Sequence, residues 1–443
     1  MAQFFSPKAN KKHAPKKNIV IECDSLDHQG LGVAHAHHQV IFVDGLLPGE
    51  QAQVQLVQDK GRFAKGVVQK RMQDSPERVA PKCRYFGRCG GCQLQYATND
   101  GQRQFKQQAL QQLLQHHLKN AEFAMAPAIS GADWHYRRRA RLATHWHKGQ
   151  LVLGFRQSQS KQVVAIEQCP VLVVQLSALI APLSHCLAAL ALAKQLGHVD
   201  LLLADEGAVV VLRLLRQPNL HEQRALVAFG QQHQCQILWD DGQRVRDLAC
   251  QSASLLHYQA TVDGPSVAFL PGDFFQVNDQ VNQQMVAQAL AWLAPMPEET
   301  GLDLFCGGGN FSFALAQRAK QVIAVEGIER MVQRGQAQAQ ALALPNVQFY
   351  CADLNGAVSQ YPWAQQTIDW VLLDPARAGA SGALQWLPAL APKRILYVSC
   401  NPLTLAQDAK SLTEQGYRLD KLGLIDMFPH TGHLESMALF VRQ

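Results

Sequence analysis

Residues 18–75 contain short runs in which apolar and polar residues alternate, with glycine turns between the runs. The alternation covers residues 19–23 and 52–56, an apolar run lies at 40–43, and the "GLG" of residues 30–32 interrupts the pattern. Strands this short, separated by this many turn signals, are typical of a small closed β-structure. The pattern therefore predicts a small all-β barrel at residues 18–75.

The pattern changes beyond residue 75, where apolar residues recur at helical spacing and then alternate again. The helical run at residues 105–118 predicts an amphipathic helix that faces the core. Its apolar positions are Phe105, Ala109, Leu110, Leu113, Leu114 and Leu118. A strand-like alternation follows the arginine run that begins at residue 137. We therefore expect a central α+β domain at residues 76–272.

The last part of the chain, residues 273–443, alternates strand and helix patterns. Residues 279–293 have a helical pattern, and residues 301–327 run strand, glycine loop, helix and strand. This order is one βαβ unit of a doubly wound sheet, in which ligands bind beyond the carboxyl ends of the strands. The chain is thus predicted to be a multidomain α/β protein with a Rossmann-like C-terminal domain.

The composition of the chain indicates where the protein is located and what kind of partner it binds. The 443 residues carry a net charge of +6, and residues 1–17 hold five lysines and no acidic residue. Such a basic tail is typically disordered and meets a polyanion, although a solvated tail without a partner is the alternative. No apolar run approaches the roughly 20 residues of a membrane span, and the polar start lacks the apolar core of a secretory signal. We expect a cytoplasmic, monomeric protein that contacts nucleic acid.

The glycine loop of the C-terminal domain indicates its ligand. A dinucleotide fingerprint needs a third glycine after Gly307 and Gly309, and Ser312 stands at that position. S-adenosylmethionine is therefore favoured over a dinucleotide, because its loop is glycine-rich but needs no phosphate cradle. Glu326 ends the next strand, where a carboxylate can hold ribose hydroxyls. A tight turn in an unrelated α/β protein is the alternative.

Two apolar strands of this domain end in residues whose side chains could take part in catalysis. "IDWVLLDPARAG" ends its strand at Asp374, and "RILYVSCNP" ends at Cys400. Both endings fall on the binding edge of the sheet. Cys306 and Cys351 are expected to be ordinary buried cysteines. Cys400, at a strand end before Asn-Pro, is instead placed for nucleophilic attack.

Basic and aromatic residues mark two candidate surfaces for RNA. In the barrel, which would be of the oligonucleotide-binding (OB) type, the candidates are Lys60, Arg62 and Phe63, which suit a phosphate backbone and a stacked base. In the central domain they are Arg137, Arg138, Arg139 and Arg141, beside Trp134 and Tyr136. A barrel that only packs on its neighbour, and a solvated, salt-bridged strand edge, are the alternatives.

Three cysteines lie within ten positions of "CRYFGRCGGCQLQ": Cys83, Cys89 and Cys92. Eleven cysteines in a chain expected to be cytosolic argue against disulfides. Zinc prefers paired Cys-x-x-Cys knuckles, and only one such pair is present here. Cys169 precedes a proline, as in the Cys-Pro that closes ferredoxin ligand sets. The residues favour an iron-sulfur cluster and leave zinc open.

Four motifs together resemble the uracil-C5 RNA methyltransferase family: "DLFCGGGNFSF", "LDPARAG", "VSCNP" and "HLESMALF". The barrel resembles the TRAM domain found in that family. The barrel and the four-cysteine set together resemble the member that methylates 23S ribosomal RNA, because transfer-RNA relatives are expected to lack both. The resemblance implies 5-methyluridine formation in a single-stranded or loop region of 23S ribosomal RNA. The same reaction on another RNA, or a non-catalytic RNA-binding or chaperone protein, are the alternatives.

The resemblance also implies roles for individual residues. Cys400 would be the nucleophile that adds to uracil C6, and Glu435 would accept the C5 proton. S-adenosylmethionine would be bound by Gln276, Phe305, Asn310, Glu326, Asp353 and Asp374. The four cysteines Cys83, Cys89, Cys92 and Cys169 would hold a [4Fe-4S] cluster that staples the central domain.

Overall fold

The computed structural model describes residues 18–119 and 121–443. The lysine-rich tail, for which nucleic acid contact was expected, lies outside the described residues. Among the helices of the described part of the chain, none is long and apolar enough to span a membrane.

The first 56 described residues form a curled six-stranded sheet in the order β1-β5-β6-β4-β3-β2. Its strands are β1 (Asn18–Glu22), β2 (Ser25–Leu26), β3 (Gly32–Ala36), β4 (Gln39–Asp44), β5 (Gln51–Asp59) and β6 (Phe63–Gln73). All neighbours are antiparallel except β4 and β6. Alternate residues point inward, so that Ile21, Ile41 and Val54 form the small core that the alternation predicts.

Residues 139–247 form a seven-stranded sheet in the order β10-β9-β8-β11-β12-β13-β14. Its strands are β8 (Arg139–His147), β9 (Gln150–Arg156), β10 (Val163–Ala165), β11 (Leu196–Ala204), β12 (Gly207–Leu214), β13 (Cys235–Asp240) and β14 (Val245–Asp247). Its helices are α2 (Val174–Ala188), α3 (Leu220–Gln232) and the 3₁₀ helix Ala191–Gln195. A hairpin of β15 (Leu256–Gln259) and β16 (Ser266–Phe269) follows.

The C-terminal region is built on an eight-stranded sheet in the order β19-β18-β17-β20-β21-β23-β22-β7. Its strands are β17 (Thr300–Leu304), β18 (Gln321–Glu326), β19 (Val347–Cys351), β20 (Trp370–Leu373), β21 (Arg394–Ser399), β22 (Tyr417–Ile425) and β23 (Glu435–Arg442), with β7 (Ala124–Met125) at the edge. The helices are α4 (Asp279–Leu293), α5 (Ser312–Ala316), α6 (Glu329–Ala341), α7 (Ala383–Leu390), α8 (Pro402–Glu414) and the 3₁₀ helix Pro362–Gln365. Strands β17 to β21 are parallel, as the βαβ pattern predicts.

One helix and one strand from the region expected to form the central domain, residues 76–272, pack with the C-terminal sheet instead. Helix α1 (Asn99–His117) begins at Thr98, whose Oγ1 accepts a hydrogen bond from the Gly101 amide. Its apolar face contacts α8 and β22, and β7 pairs with β22. Residues 99–125 therefore pack with the C-terminal sheet rather than with the central one. Helical spacing shows which face is apolar but not which sheet covers that face.

Candidate active site

The carboxyl ends of five parallel strands bring the sequence-predicted site residues to one edge of the sheet. Phe305 follows β17, Glu326 ends β18, Asp353 follows β19, Asp374 follows β20 and Cys400 follows β21. The strands are adjacent in the order β19-β18-β17-β20-β21. Residues that are almost 100 positions apart thus share one edge of the sheet, where ligands of doubly wound sheets bind.

The glycine loop is shaped by backbone angles that favour glycine. Gly307 and Gly309 have φ of 57° and 98°, and a Cβ at Gly309 would lie 2.7 Å from the ring of Phe313. The Gly307 amide donates to Glu326 Oε2 at 3.1 Å. The amide of Ile328 donates to Oε1 of the same carboxylate at 3.1 Å. The loop and the acid predicted to hold a ribose are therefore in direct contact.

The other predicted cofactor residues differ in burial and in backbone conformation. Phe305 has a left-handed φ of 62°, which is rare for a residue other than glycine. Asn310 exchanges two hydrogen bonds of 3.0 Å with Asn282 on α4. Asp353 is exposed, whereas Gln276 is buried in the segment that leads into α4.

Cys400 lies between the end of β21 and the first turn of α8. The helix begins at Asn401, whose Oδ1 accepts a hydrogen bond from the Leu403 amide at 3.2 Å. Burial raises the pKa of the Cys400 thiol to about 11, and the charges of Glu435 and Asp374 add to the rise. Arg377 acts in the opposite direction. The surroundings of Cys400 therefore favour its neutral thiol form.

Glu435 is the first residue of β23, which runs antiparallel beside β21 and pairs Ser436 with Ser399. This register places Glu435 next to Cys400. Burial raises the pKa of Glu435 to about 8, with a further contribution from Asp374. Burial likewise raises the pKa of Asp374 to about 7. The site thus gathers two carboxyls and a thiol whose ionised forms are all disfavoured, a pattern common at functional sites.

Arg377 is a site residue that the sequence interpretation missed, although it lies within the quoted motif "LDPARAG". Its carbonyl oxygen accepts a hydrogen bond from Asn401 Nδ2 at 2.9 Å. Its Nη2 donates to Nδ1 of His433 at 2.9 Å. Its positive charge lowers the pKa of both Cys400 and Glu435.

The arginine run of the central domain is divided between interior and surface. Arg138 is only 5% exposed. Its Nε donates to the Gln276 carbonyl at 3.0 Å, and its Nη1 donates to Asp279 at 2.7 Å. Arg139 donates to the Asp273 carbonyl at 2.5 Å. These two arginines hold the segment that contains Gln276, and the burial of Arg138 leaves little of its side chain at the surface.

The remaining RNA candidates lie nearer the surface. Arg141 forms a two-point ion pair with Asp200, and the Arg137 guanidinium lies 5.5 Å from the centre of the Phe428 ring. In the barrel, Lys60, Arg62 and Phe63 are exposed, and Lys60 Nζ lies 5.5 Å from the centre of the Phe63 ring.

The four cysteines of the predicted cluster lie close enough to influence one another. Burial raises the pKa of Cys92 to about 12, and the thiols of Cys169, Cys89 and Cys83 contribute to the rise. The Gly91 amide donates to Cys89 Sγ at 3.4 Å. Within residues 18–119 and 121–443, no three His, Cys, Asp or Glu side chains are arranged to hold a metal ion.

Comparison with protein families gives two matches that together cover most of the chain. The model of the tRNA (Uracil-5-)-methyltransferase family matches residues 98–443, and the TRAM domain model matches residues 16–68. The second match supports the predicted barrel.

Curated relatives match along the full chain. One is the 23S rRNA (uracil(1939)-C(5))-methyltransferase RlmD of Yersinia enterocolitica, which is 46% identical over 100% of this chain and 99% of its own. The protein with the same description from Shewanella putrefaciens is 45% identical over 99% of each chain.

A solved structure has the same overall architecture. It is the tRNA (uracil-54, C5)-methyltransferase of Pyrococcus abyssi in complex with S-adenosyl-L-homocysteine, with a TM-score of 0.73 and 25% identity. The match covers 96% of this chain and all of the other, so it must include most of the barrel. The expectation that transfer-RNA relatives lack the barrel is therefore wrong, and the barrel alone does not distinguish the RNA substrates.

The strand-end geometry, the family match over residues 98–443 and the full-length relatives lead to one conclusion: this chain belongs to the RNA uracil-C5 methyltransferase family.

Proposed function

We propose that this protein transfers a methyl group from S-adenosylmethionine to C5 of a uracil in 23S ribosomal RNA. The observation that carries the proposal is the meeting of Cys400, Glu435 and Asp374 at the strand ends next to the glycine loop. The choice of 23S ribosomal RNA is supported by the full-length relatives, whose names give uracil 1939 as the target.

Uracil C5 is a weak nucleophile, so the reaction needs covalent activation. Cys400 adds as a thiolate to C6, which makes C5 electron-rich. After C5 has been methylated, Glu435 as a carboxylate removes the C5 proton. The electron pair of the C–H bond restores the C5–C6 double bond, and the Cys400 thiolate leaves.

The residues fit S-adenosylmethionine in shape and in charge. The glycine loop leaves room near Glu326, whose carboxylate can accept hydrogen bonds from ribose hydroxyls. Phe305 and Asp353 follow strands of the same sheet edge, and Asn310 lies within the loop. We assign Gln276 to the cofactor as well. The bound sulfonium would supply the methyl group, together with a positive charge that favours the ionised forms of Cys400 and Glu435.

The finer proposal for the central domain is a [4Fe-4S] cluster held by Cys83, Cys89, Cys92 and Cys169. All four donors are sulfur, their thiols influence one another, and a backbone amide already donates to one of them. Four thiolates are the usual ligand set of such a cluster. Since methyl transfer moves no electrons, the role we propose is to hold the central domain together.

The nucleophile is tested by Cys400→Ala with a labelled methyl donor and a 23S ribosomal RNA fragment. We expect methyl transfer to be lost while RNA binding is retained, because only the thiol is removed. Cys351→Ala is a matched control, since Cys351 is the last residue of β19, the parallel strand farthest from β21, and has no proposed role. Methyl transfer by the Cys400→Ala protein would refute the proposed mechanism.

The base is tested by Glu435→Gln. The amide cannot accept the C5 proton, so a methylated, covalent protein–RNA adduct should accumulate and be visible on a denaturing gel. A variant that turns over normally, or one that forms no adduct, contradicts the assignment of Glu435. A transfer-RNA fragment run in parallel tests the substrate: methylation of that RNA in preference to 23S ribosomal RNA would contradict the proposed target.

A further inference from the structure

The loop that leads into Glu435 is buried rather than exposed. Residues 426–434, here the 426–434 loop, join β22 to β23 and end immediately before Glu435. Asp426, Met427, His430, Thr431 and Leu434 are all less than 5% exposed. A buried loop has to find hydrogen-bond partners for its irregular backbone.

Four consecutive carbonyl groups of this loop find partners on four different segments. The Met427 carbonyl accepts from Asn278 Nδ2 at 3.3 Å, and the Phe428 carbonyl accepts from Lys106 Nζ at 3.2 Å. The Pro429 carbonyl accepts from the Tyr136 hydroxyl at 3.1 Å, and the His430 carbonyl accepts from the amides of Gln93 and Leu94, each at 2.9 Å. The position of the loop is thus set mainly by residues from the N-terminal half of the chain. These partners, taken in chain order, are Gln93, Leu94, Lys106, Tyr136 and Asn278.

His430 has an unusual backbone conformation within this loop. Its φ of 68° is left-handed, which costs a non-glycine residue roughly 1 kcal/mol or more. Its ring lies 3.8 Å from the Trp134 ring in a stacked arrangement. Such a conformation persists only where the surroundings fix it.

Gln102 on α1 supplies much of that fixation. Its Oε1 accepts from the His430 amide at 2.7 Å, and its Nε2 lies 3.2 Å from His430 Nδ1. His430 Nε2 lies 2.9 Å from the Asp133 carbonyl, which can only accept, so Nε2 carries the hydrogen and Nδ1 accepts from Gln102. Both polar ends of the Gln102 side chain therefore contact His430, and Nε2 also donates to the Ala97 carbonyl at 2.9 Å.

We propose that Gln102 and His430 are positioning residues for the Glu435 base. Gln102 fixes His430, His430 fixes the 426–434 loop, and the loop sets where the Glu435 carboxyl lies relative to Cys400. The same contacts tie the base to Gln93 and Leu94, which directly follow Cys92. This inference rests on the proposed function and assigns to the N-terminal half a role in one chemical step.

The step affected distinguishes positioning from general support of the fold. A displaced Glu435 leaves thiolate addition and methyl transfer intact but slows removal of the C5 proton. Misplacement of a catalytic group by about 1 Å can cost on the order of 100-fold in rate. Loss of Gln102 should therefore trap the same methylated adduct as Glu435→Gln does.

The experiment compares Gln102→Leu with Gln104→Leu in the full chain. Gln104 is exposed on the same helix, so the chemical change is matched. With a 23S ribosomal RNA fragment in single-turnover reactions, we expect Gln102→Leu to form methylated adduct at a near-normal rate and to release it about 10- to 100-fold more slowly. Gln104→Leu should behave like the unchanged protein.

A second variant guards against simple unfolding. Tyr136→Phe removes one hydrogen bond to the Pro429 carbonyl and keeps the shape of the side chain, so a smaller slowing of release is expected. If both variants slow adduct formation, methyl transfer and product release to the same extent, the positioning role is refuted. Normal product release by both variants also refutes it. If Glu435→Gln itself forms no adduct, the fault lies with the proposed base. Adduct with Glu435→Gln but with neither of the other two variants refutes this inference alone.

Discussion

The suppressed ionisation of Glu435 should destabilise the protein in a pH-dependent way. Burial, with the charge of Asp374, raises the pKa of Glu435 from 4.5 to about 8 in the folded chain. As pH rises through 4.5, the unfolded chain releases this proton while the folded chain keeps it. Stability therefore falls between pH 4.5 and 8 and levels off above that range.

The size of the effect follows from the same values. One pKa unit corresponds to about 1.4 kcal/mol, so a rise from 4.5 to about 8 sets an upper limit of about 5 kcal/mol. Glu435 is half-buried rather than sealed from water, and solvent screens part of this cost. We therefore expect about 2 kcal/mol to remain.

Glu435→Gln is the perturbation that reveals this cost. At pH 5 both side chains are neutral in the folded protein, whereas at pH 9 only the glutamate must be buried as an anion. The variant should gain about 2 kcal/mol relative to the unchanged protein between pH 5 and pH 9, measured by urea unfolding followed by fluorescence. Glu122→Gln, at an exposed position, is the control. A stability difference that does not change with pH, or one that favours glutamate at pH 9, would refute the reasoning.

Three further predictions concern other parts of the molecule. Lys106→Met removes a charge that lowers the pKa of Glu435, so the rise of kcat/KM with pH should move to higher pH. The same substitution leaves Asp426 buried without its 2.8 Å partner, which should lower the free energy of unfolding in urea by about 3 kcal/mol. Arg138→Lys loses the fork to the Gln276 segment and should raise KM for S-adenosylmethionine about 10-fold in initial-rate assays, with an unchanged circular dichroism spectrum. Cys92→Ala should lower iron per chain, measured by chelation assay, whereas Cys186→Ala should not.

The features that could be predicted from the sequence are the local ones. Alternation in the barrel and the strand–loop–helix order of the last part depend on neighbouring residues, and both appear in the structure. Cys400 and Asp374 were identifiable because parallel strands bring their carboxyl ends to one edge. Gln276 and Glu435 required the family resemblance, since nothing in their spacing marks them.

The features that could not be predicted depend on distant partners. Arg138 and Arg139 look like surface residues in a basic run, but the carbonyl oxygens that bind them lie more than 130 positions away. His430 and Gln102 are separated by 328 positions. A sequence pattern reports which residues are apolar or charged, whereas the pairing of one particular donor with one particular acceptor is decided only when the sheets pack.

The short strand β7 has a consequence for how the chain can be divided. Residues 124–129 run along β22, with backbone pairs from Lys421–Ala124 up to Ile425–Ile129. A fragment that starts at residue 273 would lack this cover and present β22 as an open, mostly apolar edge, the kind of surface that recruits strands from other copies. During synthesis, the segment that closes this edge leaves the ribosome almost 300 residues before its partner and has to wait for it. The catalytic sheet is therefore complete only when the whole chain has been made.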